Sequence, residues 1–194
     1  MDYGQHADPN TQGCVERFIR GFFSCLWFVV AVVVLLWLVN TFIARAYTIP
    51  SGSMEDTIQI DDRVWSEKVT YYFRDIEPGD IVTFDDPTST ADRTLIKRVI
   101  AVGGQTVDLM NGVVYVDGQP LDEPYTDGQP SAPLPPMPGV DVSYPYVVPD
   151  GYIWVMGDNR LHSSDSRYFG AVDAKTVSGR AIAIYWPLNH IGVL

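Results

Sequence analysis

Three short segments of the 194-residue chain bring together side chains that could support nucleophilic chemistry. Ile49-Pro50-Ser51-Gly52-Ser53-Met54 sets two hydroxyls either side of a glycine, and by composition alone it reads as a turn. Leu95-Ile96-Lys97-Arg98-Val99-Ile100 carries two cations within an otherwise apolar, strand-like pattern. Alternation puts Leu95, Lys97 and Val99 on one face and Ile96, Arg98 and Ile100 on the other. At least one of the two cations is then driven into apolar surroundings; the plainer reading is an edge strand whose long side chains snorkel to water. The third segment, Met156 to Gly170, is dense in hydrogen-bonding side chains between two strand-like runs. Taken alone it fits a solvated loop held by Asp–Arg pairs, each contributing about 0–1 kcal/mol when exposed.

A serine hydroxyl is a poor nucleophile until a base lies within hydrogen-bond reach. Lysine can be that base only when neutral, which its ordinary pKa of about 10.4 forbids at neutral pH. Burial lowers a lysine pKa by up to about 3–5 units, and the apolar flanks of Lys97 offer such a setting. The expectation is a buried Lys97 without a carboxylate partner, because a neighbouring carboxylate would hold the cation and disable the base.

Composition offers rival chemistries little. Cys14 and Cys25 fall before or within a long apolar run, and only His162 and His190 lie beyond it. Thiolate and zinc mechanisms therefore have little to stand on, and neither metal nor cofactor is expected. Residues 46–194 hold ten of the 13 basic residues and 21 of the 24 acidic ones, and so carry the whole net charge of −11. That balance argues against a nucleic-acid partner, which needs a basic face.

The elements that must position these residues are of two kinds. Gly21 to Ala44 is an uncharged run between Arg20 and Arg45. As a helix rising about 1.5 Å per residue it would extend roughly 36 Å, enough to cross a hydrocarbon core of about 30 Å. It is too long for the apolar core of a cleavable signal, and the acidic residues Asp2, Asp8 and Glu16 make a poor leader. The expected organisation is a tail over 1–20, irregular at least to residue 17, a single transmembrane helix over 21–44 and an extracytoplasmic domain over 45–194. Arg17 and Arg20 favour a cytoplasmic amino terminus by the positive-inside rule. Beyond the run the pattern turns strand-like, with short β-branched and aromatic segments at 81–84, 95–102, 106–110, 113–116, 152–156 and 180–186. Asn111-Gly112 predicts a two-residue type I′ hairpin, and Asp117-Gly118 the next turn. Nine prolines between 120 and 149 predict a long connection in place of strands. The fold class is mainly β, with two lobes a possible arrangement.

Taken in order, the motifs resemble the type I signal peptidase family: Ser51-Gly-Ser-Met54 after a span, Gly79-Asp-Ile-Val82, Ile96-Lys-Arg-Val99, Gly157-Asp-Asn-Arg160, Asp165-Ser-Arg167 and a closing Trp186-Pro187. The resemblance covers roughly residues 46–187. It implies a serine endopeptidase with Ser53 as nucleophile and Lys97 as general base. Ser51 would contribute its hydroxyl to an oxyanion hole beside the Ser53 backbone N–H, Ser163 would orient the lysine, and Asp158, Asp165 and Arg167 would brace the site. The implied partners are membrane lipid and secretory preproteins, cleaved after small-x-small sites, typically Ala-x-Ala.

Other readings stay open at this point. His162 stands beside Ser163 and is a rival base. A narrower Ser/Lys peptidase for pilus or conjugation precursors would carry the same motifs, and a non-catalytic membrane protein binding extended peptides is a different class altogether. Ala44-Arg45-Ala46 itself resembles a cleavage site. Trp65, Tyr71, Tyr72 and Phe73 are candidates either for membrane contact or for core.

Overall fold

The computed structural model describes residues 9–38 and 44–194, with side chains over 20–37 and 44–194. Two compact units divide the chain, one up to Phe42 and the other from Ile43 onward. In the first, α1 runs from Pro9 to Leu38. It therefore begins well before the apolar run, where an irregular tail was expected. Proline is tolerated in a first helical turn, and a long apolar helix propagates outward at little cost once nucleated. Its segment Arg20–Trp37 has a mean hydropathy of 2.1 and is long and apolar enough to cross a membrane. The remainder of the expected span lies outside the described residues, except Ala44, which opens the first strand.

The second unit is built from antiparallel strands. The main sheet comprises β1 (Ala44–Thr48), β2 (Arg63–Glu67), β3 (Ile81–Asp85), β4 (Thr94–Val102), β9 (Tyr152–Met156), β10 (Val172–Asp173), β11 (Val177–Trp186) and β12 (Gly192–Val193). Its order is β1-β2-β11-β3-β4-β9-β10, with β12 added to β11. A smaller sheet, β7-β6-β5-β8, is formed by β5 (Thr106–Met110), β6 (Val113–Val116), β7 (Gln119–Pro120) and β8 (Tyr146–Val147). The expected hairpin is present: Met110 pairs with Val113 across Asn111 and Gly112, whose φ angles are 53° and 82°. Both values are positive, as a type I′ turn requires.

Alternation along the strands divides the apolar side chains into three clusters. Ile49, Met54 and Ile58 pack with Val64, Ile81, Ile96 and Ile184. Val82, Phe84 and Val99 pack on the opposite face with Ile153, Val155 and Phe169. Ile100, Trp154 and Met156 join the small sheet through Val107, Leu109 and Val114. Most of the proline-rich connection is irregular, as expected, apart from Pro120 in β7, one turn of 3₁₀ helix at Pro124–Thr126 and the two residues of β8.

Among the aromatic candidates, Tyr71 packs against the second of these clusters and its hydroxyl donates to Asp80 Oδ2 at 3.2 Å. Tyr72 and Phe73 are 72% and 86% exposed, while Trp65 is partly exposed against the edge of Tyr185. Ala44-Arg45-Ala46 is paired with β2, Ala44 opposite Glu67 and Ala46 opposite Trp65.

Candidate active site

Ser53 is held in place by its neighbours. Met54 and Ile58, both fully buried, pin the turn after Ser53 into the first cluster, and the Ile58 N–H donates to the Met54 carbonyl. The turn is tied from the other side by residues 157–159. The Asn159 N–H donates to the Ser53 carbonyl at 3.2 Å, and Asn159 Nδ2 donates to the Gly52 carbonyl at 3.0 Å. Thr57 Oγ1 donates to Asp158 Oδ2 at 2.6 Å.

Lys97 comes from the middle of β4, on the face alternation assigned to it. It is 3% exposed and Ser53 is 8% exposed; Lys97 Nζ and Ser53 Oγ lie 2.5 Å apart. Arg98 points the other way, with Nε and Nη2 donating to the two oxygens of buried Asp158 at 2.8 and 2.7 Å. Its guanidinium also stacks on Tyr125, 4.0 Å from the ring centroid. The arginine thus takes the carboxylate and leaves the lysine without one. Among the described residues no carboxylate makes an ion pair with Lys97.

Burial pushes the Lys97 ammonium down to a pKa of about 8, assisted by the positive charge of Arg93 and opposed by Asp165, Asp158 and Asp86. The desolvation cost outweighs three carboxylates because none is in contact. When Lys97 is charged it donates to Ser53 Oγ; when neutral its lone pair accepts the hydroxyl proton. The second state is that of a general base in position.

The other residues named from sequence fall around this pair. Ser51 lines the same cavity, of about 240 Å³, as Ser53 and Lys97. The Ser51 hydroxyl and the Ser53 N–H have no hydrogen-bond partner among the described residues. Asp165 accepts from Arg167 Nε and Nη2, both at 2.9 Å, and from the Gly157 N–H at 3.1 Å. It also caps the short helix α2 (Ser166–Phe169). Asp158, Asp165 and Arg167 therefore make no hydrogen bond to Ser53 or Lys97; they hold the loop that carries Asn159. Ser163 is buried beside Gly157, and its hydroxyl has no hydrogen-bond partner among the described residues, Lys97 included. His162 reaches the cavity rim, but its Nδ1 lies 3.2 Å from Asn159 Oδ1 and makes no bond to Ser53.

Two contributors were not singled out from the sequence. Asn159 lay inside a quoted motif, yet only the fold reveals which carbonyls it meets. Arg160 donates to Glu123 through Nη1 at 3.1 Å and Nη2 at 2.6 Å, and to Ser131 Oγ at 2.6 Å, tying the proline-rich connection to the catalytic loop. No local pattern announces that tie.

The family model for signal peptidase, peptidase S26, matches residues 22–186, most of the chain. The chain belongs to that family. Its similarity to curated members extends over most of both sequences. It is 40% identical over 167 residues to probable signal peptidase I-1 of Synechocystis, covering 83% of this chain and 81% of that one. Against probable signal peptidase I-2 of the same organism it is 39% identical over 169 residues, covering 85% and 73%. The signal peptidase I of Leptolyngbya laminosa is 38% identical over 170 residues, with 84% and 78% covered. Membership in S26 makes the protein a peptidase.

Proposed function

We propose that this chain is a membrane-anchored signal peptidase I that removes amino-terminal signal peptides from secretory preproteins after small-x-small sites, with Ser53 as nucleophile and Lys97 as base. The observation that carries the reading is the 2.5 Å contact between Ser53 Oγ and a buried lysine free of carboxylates. In this scheme Ser53 Oγ attacks the scissile carbonyl while its proton passes to neutral Lys97. The Ser53 N–H and the Ser51 hydroxyl donate to the developing oxyanion. Protonated Lys97 then gives its proton to the departing amine, and a water activated by Lys97 releases the acyl group. Asp158, Asp165 and Arg167 fix the loop against which the nucleophile turn rests, and Ser163, whose hydroxyl makes no bond to Lys97 in this structure, would have to turn towards the lysine to orient it during acyl transfer.

Substrate entry follows from the sheet. β4 pairs with β3 along residues 94–98, but β9 pairs with β4 only from Arg98 onward. Residues 94–97 therefore have one edge without a strand partner among the described residues, directly beside the catalytic pair. An extended peptide would add there as a further strand. Helix α1 serves as the anchor, with its amino-terminal arginines on the cytoplasmic side, so the domain works outside.

The test is cleavage of a secretory precursor by the detergent-solubilised protein beside Ser53→Ala and Lys97→Ala. The expected result is a cut after Ala-x-Ala by the native chain, with each variant slower by about 10³-fold or more. Retained cleavage by Lys97→Ala would place the base elsewhere. A native chain that cuts no such precursor would overturn the reading.

A further inference from the structure

The cavity that opens onto Ser53 and Lys97 has a charged wall that makes no hydrogen bond to either residue. The β3–β4 hairpin is closed by the Asp86 N–H donating to the Arg93 carbonyl at 2.8 Å. The Asp86 carboxylate is buried beneath it. Oδ1 accepts from the Thr88 N–H at 2.8 Å and from its hydroxyl at 2.7 Å, while Oδ2 faces Arg93 Nε at 3.4 Å. Asp86, Thr88 and Arg93 all line the cavity shared with Ser53 and Lys97.

Arg93 thus makes one long ion pair through its Nε while its side chain remains 63% exposed. Its two terminal nitrogens have no partner among the described residues. A free surface arginine samples many rotamers; this one is biased towards a buried carboxylate whose other oxygen is already occupied by Thr88. What it offers to the cavity is a planar pair of N–H donors, the geometry that matches a carboxylate. The unpaired edge of β4 leads from Lys97 towards this group. Arg93 lies four positions before Lys97, about 13 Å along an extended strand.

We propose that Arg93 is a specificity-determining residue that binds an acidic side chain of the precursor, about three to five residues from the scissile bond. This rests on the peptidase reading above and names a substrate feature that reading leaves open. An extended precursor lying on the β4 edge with its scissile carbonyl at Ser53 brings that part of its chain to the guanidinium. The contact is at the rim and partly solvated, so it selects among precursors and does not dominate affinity.

The experiment uses the full-length protein in detergent and peptides containing one Ala-x-Ala site, with Glu, Gln or Lys placed in turn at each position within about six residues of the bond. At one or two positions native kcat/KM should favour Glu over Lys by about fivefold. Arg93→Gln should bring that ratio close to one, and Arg93→Glu should invert it. If Arg93 acts only through space on Lys97, both substitutions change every peptide by a common factor and leave the ratio intact, which overturns the proposal. A native enzyme that cuts all the peptides without charge preference sinks this inference alone. One that cuts none of them removes the peptidase reading, and this inference with it.

Discussion

Lys97 is a residue whose burial works against the fold. Its folded pKa of about 8 lies below the ordinary 10.5, so between those values the unfolded chain holds a proton that the native chain has released. Stability therefore rises with pH across that window, and below it the full cost of the buried ammonium remains, on the order of 3 kcal/mol. Lys97→Met should accordingly be more stable than the native chain at pH 7, with the difference shrinking above pH 8 and gone near 10.5. Denaturant unfolding of both proteins at pH 7 and 10 measures this, and a methionine variant less stable at pH 7 would contradict it. The same titration governs activity: kcat/KM should climb through about pH 8 and then level, because only neutral Lys97 accepts the Ser53 proton. A rate still climbing beyond pH 10 would place the working base elsewhere. Alternation alone put the two cations of β4 on opposite faces, but it could not say which keeps water. That is settled by Asp158, 60 residues further along, which pairs with Arg98.

At the scale of elements, legibility followed locality. The strands at 81–85, 94–102, 106–110 and 152–156 announce themselves by β-branched content, and Asn111-Gly112 by its turn chemistry. β1 was not foreseen: Ala-Arg-Ala-Tyr-Thr has no clean alternation, and its burial pattern follows its partner β2. The loop from Gly157 to Asp165 looked like hydrogen-bonding potential held by Asp–Arg pairs; Asp165 does pair locally with Arg167, but the partners of Asp158, Asn159 and the Arg160 guanidinium tips are distant in sequence. Its close approach to the nucleophile turn rests on Gly157. A Cβ built there would overlap the Ser53 carbonyl oxygen and the Ser163 side chain. The backbone oxygen cannot swing aside, so Gly157→Ala must push the two loops apart. The expected outcome is a destabilisation of about 1–3 kcal/mol together with a fall in kcat/KM of about 10²-fold. Thermal unfolding and peptide kinetics measure the two separately. Full activity with a lowered Tm would mean that the nucleophile turn tolerates displacement.

For the molecule as a whole, the buried members of the three apolar clusters, among the described residues, come from residues 49–184. The helix segment from Arg20 to Trp37 has a mean hydropathy of 2.1 and belongs to the other unit. Stability of the second unit and attachment to a bilayer are therefore expected to be separable, since the buried apolar clusters among the described residues fall within the unit that begins at Ile43. The acidic surface of residues 46–194 keeps that unit soluble once released. A chain lacking residues 1–42 should fold with native-like cooperativity and cleave short soluble Ala-x-Ala peptides with kcat/KM within about threefold of the full chain, because the β4 edge and the Ser53–Lys97 pair are intact. Precursors embedded in vesicles should fare differently. Two partners confined to one bilayer meet at an effective concentration in the millimolar range, so loss of the anchor should slow their processing by about 10²-fold or more at sub-micromolar enzyme. Equal loss on both substrate types would mean that α1 supports the active site itself; no loss on vesicles would mean that the exposed Tyr72 and Phe73, or another surface of the domain, are sufficient for membrane engagement.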